Sequence, residues 1–260
     1  MSQDTIASLP DNLQKKIARA IAHCTLPWNL IEDGDRIMIA LSGGKDSLLL
    51  IHFLENIRRI APVRFELGIF HLNPCAPDFP AKDVLNRLSR MGFYTWFEHI
   101  DMARVLDEKI PTGDSPCPLC SRLRRGILYT QAQKNGYNKI ALGHHRDDAV
   151  ETFLMNALYS GSIKAMPPKL LADNGMTTVI RPLLYTPESW LRDAAAYLNL
   201  PVTKMPFCTR EKSGARYDTK QLLTLLESQN PKLKGNIFHA LQHVVPSHLL
   251  DKNLLDPRGS

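Results

Sequence analysis

Apolar and polar residues alternate in blocks along this chain, and the blocks switch between two periods. "RIMIALS" (36–42), "FELGIFHL" (65–72), "FYTWFEHI" (93–100), "NKIALGH" (138–144) and "TTVIRPL" (177–183) are short runs rich in β-branched and aromatic residues. Four of them are nearly continuous in apolar character, which predicts strands covered on both faces. Between them the apolar residues recur at helical spacing over 46–60, 80–91, 118–135 and 147–160. A further helix is predicted at 187–198, opened by Pro187 and Glu188 in positions that helix starts favour. An amphipathic helix at 11–24 precedes the first strand. Strand–helix alternation of this kind predicts an α/β fold, a doubly wound parallel sheet of about five strands. After residue 200 the pattern turns helical and basic. The expected organisation is therefore an N-terminal helical segment (1–30), an α/β domain (31–200) and a small C-terminal appendage (201–260). No internal repeat or low-complexity tract interrupts it.

Composition narrows the setting. The chain has 260 residues, 44% of them hydrophobic, enough for a sizeable core. No apolar run reaches the roughly 18 residues of a membrane span. The N-terminus is polar and lacks the apolar centre of a secretory signal. These features predict a cytoplasmic protein with no membrane partner. Five cysteines, an odd number, point to metal or sulfur chemistry rather than a disulfide framework in such a compartment. The net charge is +6, and its distribution matters more than its size. Lys204, Arg210, Lys212, Arg216 and Lys220 face only Glu211 and Asp218 in 201–220, and "SRLRRG" adds Arg122, Arg124 and Arg125. Patches of this kind suit a polyanion such as RNA, and they also occur as solvated surface.

In a doubly wound sheet, ligands bind beyond the carboxyl ends of the strands. The unusual residues fall there: "SGGKDS" after the first strand, "HLNPC" after the second, "GHHRDD" after the fourth. Gly43 and Gly44 allow a ligand to approach the main chain. Asp46 or Ser47 is expected to cap the helix that follows. Free N–H groups at a helix start make an anion site, to which Ser42 and Ser47 add hydroxyls and Lys45 a charge. The loop is thus expected to hold phosphate. It is not a Walker loop, because Gly-x-x-x-x-Gly-Lys-Ser/Thr spacing is absent.

"SPCPLCSRLRRGILY" puts Cys117 and Cys120 at the start of a helix, with three arginines nearby that favour thiolates. The spacing admits half a zinc site, a redox dithiol or part of an iron–sulfur site. No second C-x-x-C exists to complete a zinc site. On the helix, Arg122 and Arg125 share one face, and Leu119, Leu123 and Ile127 the other.

"SGGKDS" and "ALGHHRDDAVET" (141–152) resemble the two signatures of the PP-loop N-type ATP pyrophosphatases. With "CPLCSRLRRGILY", "MPPKL" (166–170) and "VVPSHLLDKNLLD" (244–256), the chain is similar to the tRNA 2-thiocytidine biosynthesis (TtcA) family over roughly residues 10–256. The resemblance implies an ATP-dependent tRNA sulfurtransferase acting on cytidine 32, with ATP, Mg2+ and a 4Fe-4S cluster. The base oxygen is adenylated, pyrophosphate leaves, and sulfur supplied through the cluster replaces the oxygen. By the same resemblance, Ser42, Gly43, Gly44, Lys45, Asp46, Ser47, His71, Gly143 and His144 bind ATP, with Leu72 near the adenosine. Asp46 belongs to the magnesium shell, and Asp147 or Asp148 to the substrate side. Cys117 and Cys120 act at the cluster, and Arg122, Arg125, Lys204, Arg210 and Lys212 meet the RNA. A cysteine desulfurase or another donor supplies sulfur. The oligomeric state is left open, a homodimer included.

One departure stands out. The family carries a second C-x-x-C near "KMPFCTR", whose first cysteine is the third cluster ligand; here Met205 falls on that position and Cys208 on the other. A thioether is a poor replacement for a thiolate, so either Cys208 takes over as third ligand, the expected case, or the cluster is weakened, altered or absent. The competing reading is a PP-loop ligase or sulfurtransferase on a different substrate, with the cysteines serving as a dithiol or persulfide. Cys24 reads as a small apolar residue. Cys75, in "HLNPCAP", is a candidate sulfur relay.

Overall fold

The structure, a computed structural model, describes residues 9–73, 82–102, 104–105, 117–202 and 214–254, with backbone only at 117–118. At the centre lies β1 (Asp35–Leu41), buried at five of seven positions because strands flank it on both sides. β2 (Phe65–Asn73) pairs with it in parallel from Asp35↔Phe65 to Leu41↔His71. β3 (Tyr94–His99) extends the sheet beyond β2. On the other side of β1 come β4 (Lys139–Ala141) and β6 (Thr178–Ile180), both parallel. β5 (Lys169–Leu171) closes that edge, antiparallel to β6. The order β3-β2-β1-β4-β6-β5 reverses direction between β1 and β4. That switch point opens a crevice at the carboxyl ends of the two strands.

The sheet therefore has six strands, mostly parallel. The expected fourth strand is shorter than its apolar run: β4 ends at Ala141, after which the Leu142 N–H still donates to the Ile180 carbonyl of β6 and Gly143 turns towards the loop after β1. The edge strand β5 lies outside the expected set; its three residues, Lys169, Leu170 and Leu171, are half-buried or exposed and too few to set a period.

The helices are α1 (Asp11–Thr25), α2 (Lys45–Ile60), α3 (Lys82–Arg90), α4 (Cys117–Lys134), α5 (Arg146–Ser160), α6 (Glu188–Tyr197), α7 (Ala215–Gln229) and α8 (Leu233–Gln242). α2 packs on β1 and α6, α6 on α1, and α4 on β4. Leu49, Leu50 and Leu54 of α2 and Ile37, Ile39, Ile69 and Phe70 of the strands are fully buried. Each such side chain contributes ~1.5–3 kcal/mol relative to exposure. A second cluster under α4 joins Met38, Phe70, Leu72, Ala132, Tyr137 and Ile140. Tyr137 stacks on Trp96, with centroids 5.4 Å apart, and lies over Gly68, where an added Cβ would fall 2.0 Å from its hydroxyl. At the amino end of the same strands, Lys139 is nearly enclosed. Its ammonium donates to Asp35 and Glu32 at 2.7 Å each and to the Leu30 carbonyl at 3.2 Å.

Contacts divide the chain into two units. One, Met1–Arg146 with Pro167–Glu211, contains the whole sheet together with α1 to α4 and α6. The other, Asp147–Met166 with Lys212–Ser260, contains α5 from its second residue, α7 and α8. This division differs from boundaries at 30 and 200. α1 packs on α6, and the acidic start of α5 forms ion pairs with α7 and α8. Cys75, Lys204, Met205, Cys208, Arg210 and Lys212 lie outside the described residues.

Candidate active site

β1 ends at Leu41 and the chain turns through Ser42, Gly43 and Gly44 into α2. Gly43 takes φ +83°, a backbone open to glycine at little cost. The expected side-chain cap is not formed. Gly44 is the N-cap residue of α2, with no side-chain capping bond. The Ser47 hydroxyl turns back instead, donating to the Gly44 carbonyl at 2.9 Å and lying 3.1 Å from the Ser42 hydroxyl. The Ser42 N–H donates to the same Ser47 oxygen at 3.2 Å. These bonds tie the two ends of the turn together and leave the helix start to its own N–H groups, the arrangement that binds anions.

Lys45 reaches sideways. Its ammonium lies 2.9 Å from Glu188 at the start of α6 and 3.1 Å from Asp46. Burial works against its charge, but the Asp46 and Glu188 carboxylates outweigh it and hold its pKa above the ordinary lysine value. Glu188 entered the sequence reading only as a helix-start residue, and nothing in the pattern ties it to a loop 143 positions away.

The second signature meets this loop directly. Gly143, just past β4, packs against the peptide joining Asp46 to Ser47. A Cβ at Gly143 would lie 3.0 Å from the Asp46 carbonyl carbon and 3.0 Å from the Ser47 nitrogen. No residue with a side chain fits there without moving the loop. His144 follows, half-buried, and His145 is buried. The Arg146 N–H donates to the Thr186 carbonyl at 3.1 Å, which anchors this segment to the chain entering α6.

His71, at the end of β2, is 2% exposed, and its Nδ1–H donates to the Leu41 carbonyl at 2.8 Å. Burial pushes its pKa down to about 4; the Leu41 bond opposes this and Arg124 adds to it. The imidazole is therefore neutral at physiological pH, with Nδ1 protonated by its bond. Leu72 beside it is buried.

On α4, Arg122 and Arg125 are exposed while Leu119, Leu123 and Ile127 are half-buried, in keeping with the two faces read from spacing. Cys120 is half-buried in the first turn, and α4 begins at Cys117. Cys24 is fully buried, and burial pushes its thiol up to about 12, so it is unreactive.

Asp147 and Asp148 follow Arg146 in the chain and belong to the second unit. There Asp147 is 5% exposed and lies 3.1 Å from the Lys234 ammonium, which also meets Glu227 at 2.9 Å. Burial opposes the Lys234 charge, and Glu227 and Asp147 more than restore it. Arg216 pairs with Asp148 at 3.2 Å and Glu151 at 3.4 Å. Part of the basic excess read from 201–220 is thus neutralised within this unit. Sequence reading missed Lys234 because its partner is 87 positions away.

The comparisons agree with this geometry. A family model described as a PP-loop domain matches residues 10–201. The chain is 45% identical over 242 residues to a tRNA-cytidine(32) 2-sulfurtransferase of Anaeromyxobacter sp. (strain K), covering 93% of this chain and 83% of that one. It is 42% identical over 255 residues to the enzyme of that name from Pseudomonas aeruginosa (strain LESB58), covering 97% and 92%. Among solved structures, the U34-tRNA thiolase NcsA from Methanococcus maripaludis with its 4Fe-4S cluster shares the fold, with a TM-score of 0.73 at 23% identity, over 90% of this chain and 80% of that one. Such identity, sustained along nearly the whole length and joined to a matching PP-loop domain, means that the chain belongs to the tRNA-cytidine(32) 2-sulfurtransferase family.

Proposed function

We propose that this chain is an ATP-dependent tRNA sulfurtransferase that exchanges the 2-oxygen of cytidine 32 for sulfur, releasing AMP and pyrophosphate. The observation that carries the reading is the contact of Gly143 with the Asp46–Ser47 peptide, which joins the two signatures into one surface at the switch point. The N–H groups from Gly43 to Ser47 grip the β and γ phosphates, and Lys45 exchanges a carboxylate for phosphate when nucleotide arrives. Asp46, with a side chain 24% exposed, is reachable for a magnesium ion, which neutralises charge on the leaving pyrophosphate. His71 and His144 border the adenosine, and Asp147 serves the substrate side. Arg122 and Arg125, with Lys204, Arg210 and Lys212, hold the RNA.

The cysteines suit an iron–sulfur cluster. Cys120 lies at a helix N-terminus near arginines in sequence, a setting of the kind that favours thiolate, and Cys117 starts the same turn. Cys208 is the third ligand and Met205 is not one. A cluster held by these cysteines would supply the sulfur that replaces the activated base oxygen. A cysteine desulfurase or similar donor supplies that sulfur. The cytoplasm is the proposed place of action. No helix among the described residues is long and apolar enough to cross a membrane.

Mass spectrometry of tRNA nucleosides from cells with and without the gene tests the activity. Loss of 2-thiocytidine is expected, and an unchanged set of thiolated nucleosides overturns it. Iron content after anaerobic purification tests the ligands. Cys208→Ala should lose the cluster and Met205→Ala keep it. A wild-type protein that holds no iron even after reconstitution makes Cys117 and Cys120 a dithiol or persulfide carrier instead.

A further inference from the structure

Arg181 is the first residue beyond β6, at the carboxyl end of the sheet, and only 8% of it is exposed. The main chain fixes it in place: its N–H donates to the Pro168 carbonyl at 2.9 Å, and its carbonyl accepts from the Cys24 thiol at 3.5 Å. One nitrogen of the guanidinium, Nη1, donates to the Pro167 carbonyl at 2.6 Å. Nε is buried and has no hydrogen-bond partner. Among the described residues, Arg181 forms no ion pair.

A buried cation without a counter-charge is strongly unfavourable, and its surroundings make matters worse. Burial lowers the pKa of the guanidinium; Tyr129 of α4 works against this, while Arg125 adds to it. Both side chains therefore lie within electrostatic range of Arg181. Arg125 and Tyr129 are four apart, one turn of the same helix face, and Arg122 lies three before Arg125. Arg181 is thus a buried cation within electrostatic range of an exposed arginine, and among the described residues no carboxylate pairs with it.

We propose that Arg181 and Arg125 form a subsite for a backbone phosphate of the RNA, beside the nucleotide being modified. The free Nε edge of a guanidinium suits an oxyanion. A phosphate could also come from ATP, but position argues against that source. β4 separates β6 from β1, so Arg181 stands about two strand spacings, ~10 Å, from the strand that feeds the phosphate loop. Arg125 instead lies five residues past Cys120, about 7–8 Å along the helix, on the element that carries the sulfur chemistry.

The subsite rests on the tRNA reading of the chain, and the test separates the two. Full-length wild type, Arg181→Met and Arg125→Gln are titrated with unfractionated bacterial tRNA over a series of salt concentrations, and separately with Mg-ATP. Both variants should bind ATP like wild type and lose about 0.7–0.9 from the slope of log K against log salt, the value of one phosphate contact. Slopes unchanged in both variants overturn the subsite. Weakened ATP binding with an intact tRNA slope assigns the phosphate to the nucleotide and overturns the RNA assignment. An unchanged slope in Arg181→Met alone also overturns the subsite, since Arg125 meets the RNA on the proposed function by itself. Should Arg181→Met fail to fold, Arg181→Gln, which keeps a donor for the Pro167 carbonyl and removes the charge, decides by the same slope. A wild type that binds no tRNA refutes the underlying reading, and the subsite with it.

Discussion

Replacing Gly143 by alanine adds one methyl group where two backbone segments touch. The new Cβ would sit 3.0 Å from the Asp46 carbonyl carbon, 3.0 Å from the Ser47 nitrogen and 3.2 Å from the Asp46 oxygen. Carbon contacts are most favourable at about 3.5–4.0 Å, so the loop or the Gly143 segment must retreat by ~0.5 Å. Backbone strain does not enter, because Gly143 is not among the glycines with positive φ. Two effects then compete. Alanine restricts the unfolded chain and stabilises the fold by ~0.4–1 kcal/mol. Overpacking against backbone costs ~1–3 kcal/mol. The net expectation is a loss of about 1–2 kcal/mol, a fall in Tm of roughly 2–8 °C. Activity should suffer more. A 1 Å misplacement of a positioning element costs about 100-fold in rate, so half that distance predicts about tenfold. Pyrophosphate release with saturating tRNA, read beside a thermal melt, measures both. Wild-type turnover with wild-type Tm refutes the idea that Gly143 sets the loop's position.

Asp46→Ala should abolish pyrophosphate release while the melting curve stays cooperative; wild-type turnover would reduce Asp46 to a partner for Lys45. Lys139→Met should cost about 3 kcal/mol, the lower part of the range for breaking a buried pair, because Asn138 still donates to Asp35. Chemical denaturation measures it, and Asp35→Leu combined with Lys139→Met should recover part of the loss. The His71 pKa, about 4 in the fold against 6.5 ordinarily, makes stability depend on pH. Its contribution is fully present above pH 6.5 and is lost between 6.5 and about 4, because the unfolded imidazole takes up a proton that the folded one refuses. The full effect is about 3 kcal/mol. His71→Gln should flatten the denaturation midpoint across that window, and an unchanged slope would exclude His71 as its source.

The central strands were legible because 36–42 and 65–72 are buried on both faces, so nearly every position is apolar. The apolar run at 138–144 overshot the strand because the chain makes its last bond to β6 at Leu142 and then packs Gly143 against the phosphate-loop peptide. β5 escaped because an edge strand of three residues with a lysine in it looks like loop. At the loop, the residue types announced a tight strand-to-helix turn, but not the use of Ser47, whose hydroxyl donates to the Gly44 carbonyl and accepts from the Ser42 N–H instead of capping the helix. Glu188, Lys234 and Arg181 share one reason for being missed. Their roles come from partners far along the chain or from burial, and neither leaves a local pattern. Arg181 does interrupt an apolar run, which is the one signal that could have singled it out.

The tyrosine lying over Gly68 ties two distant codons to each other. Any side chain at position 68 would occupy the space of the Tyr137 ring, starting 2.0 Å from its hydroxyl, and a smaller residue at 137 would open a void beside Trp96. Neither position can drift by itself. Across related chains they should vary as a pair, with a larger residue at 68 found only where 137 is reduced.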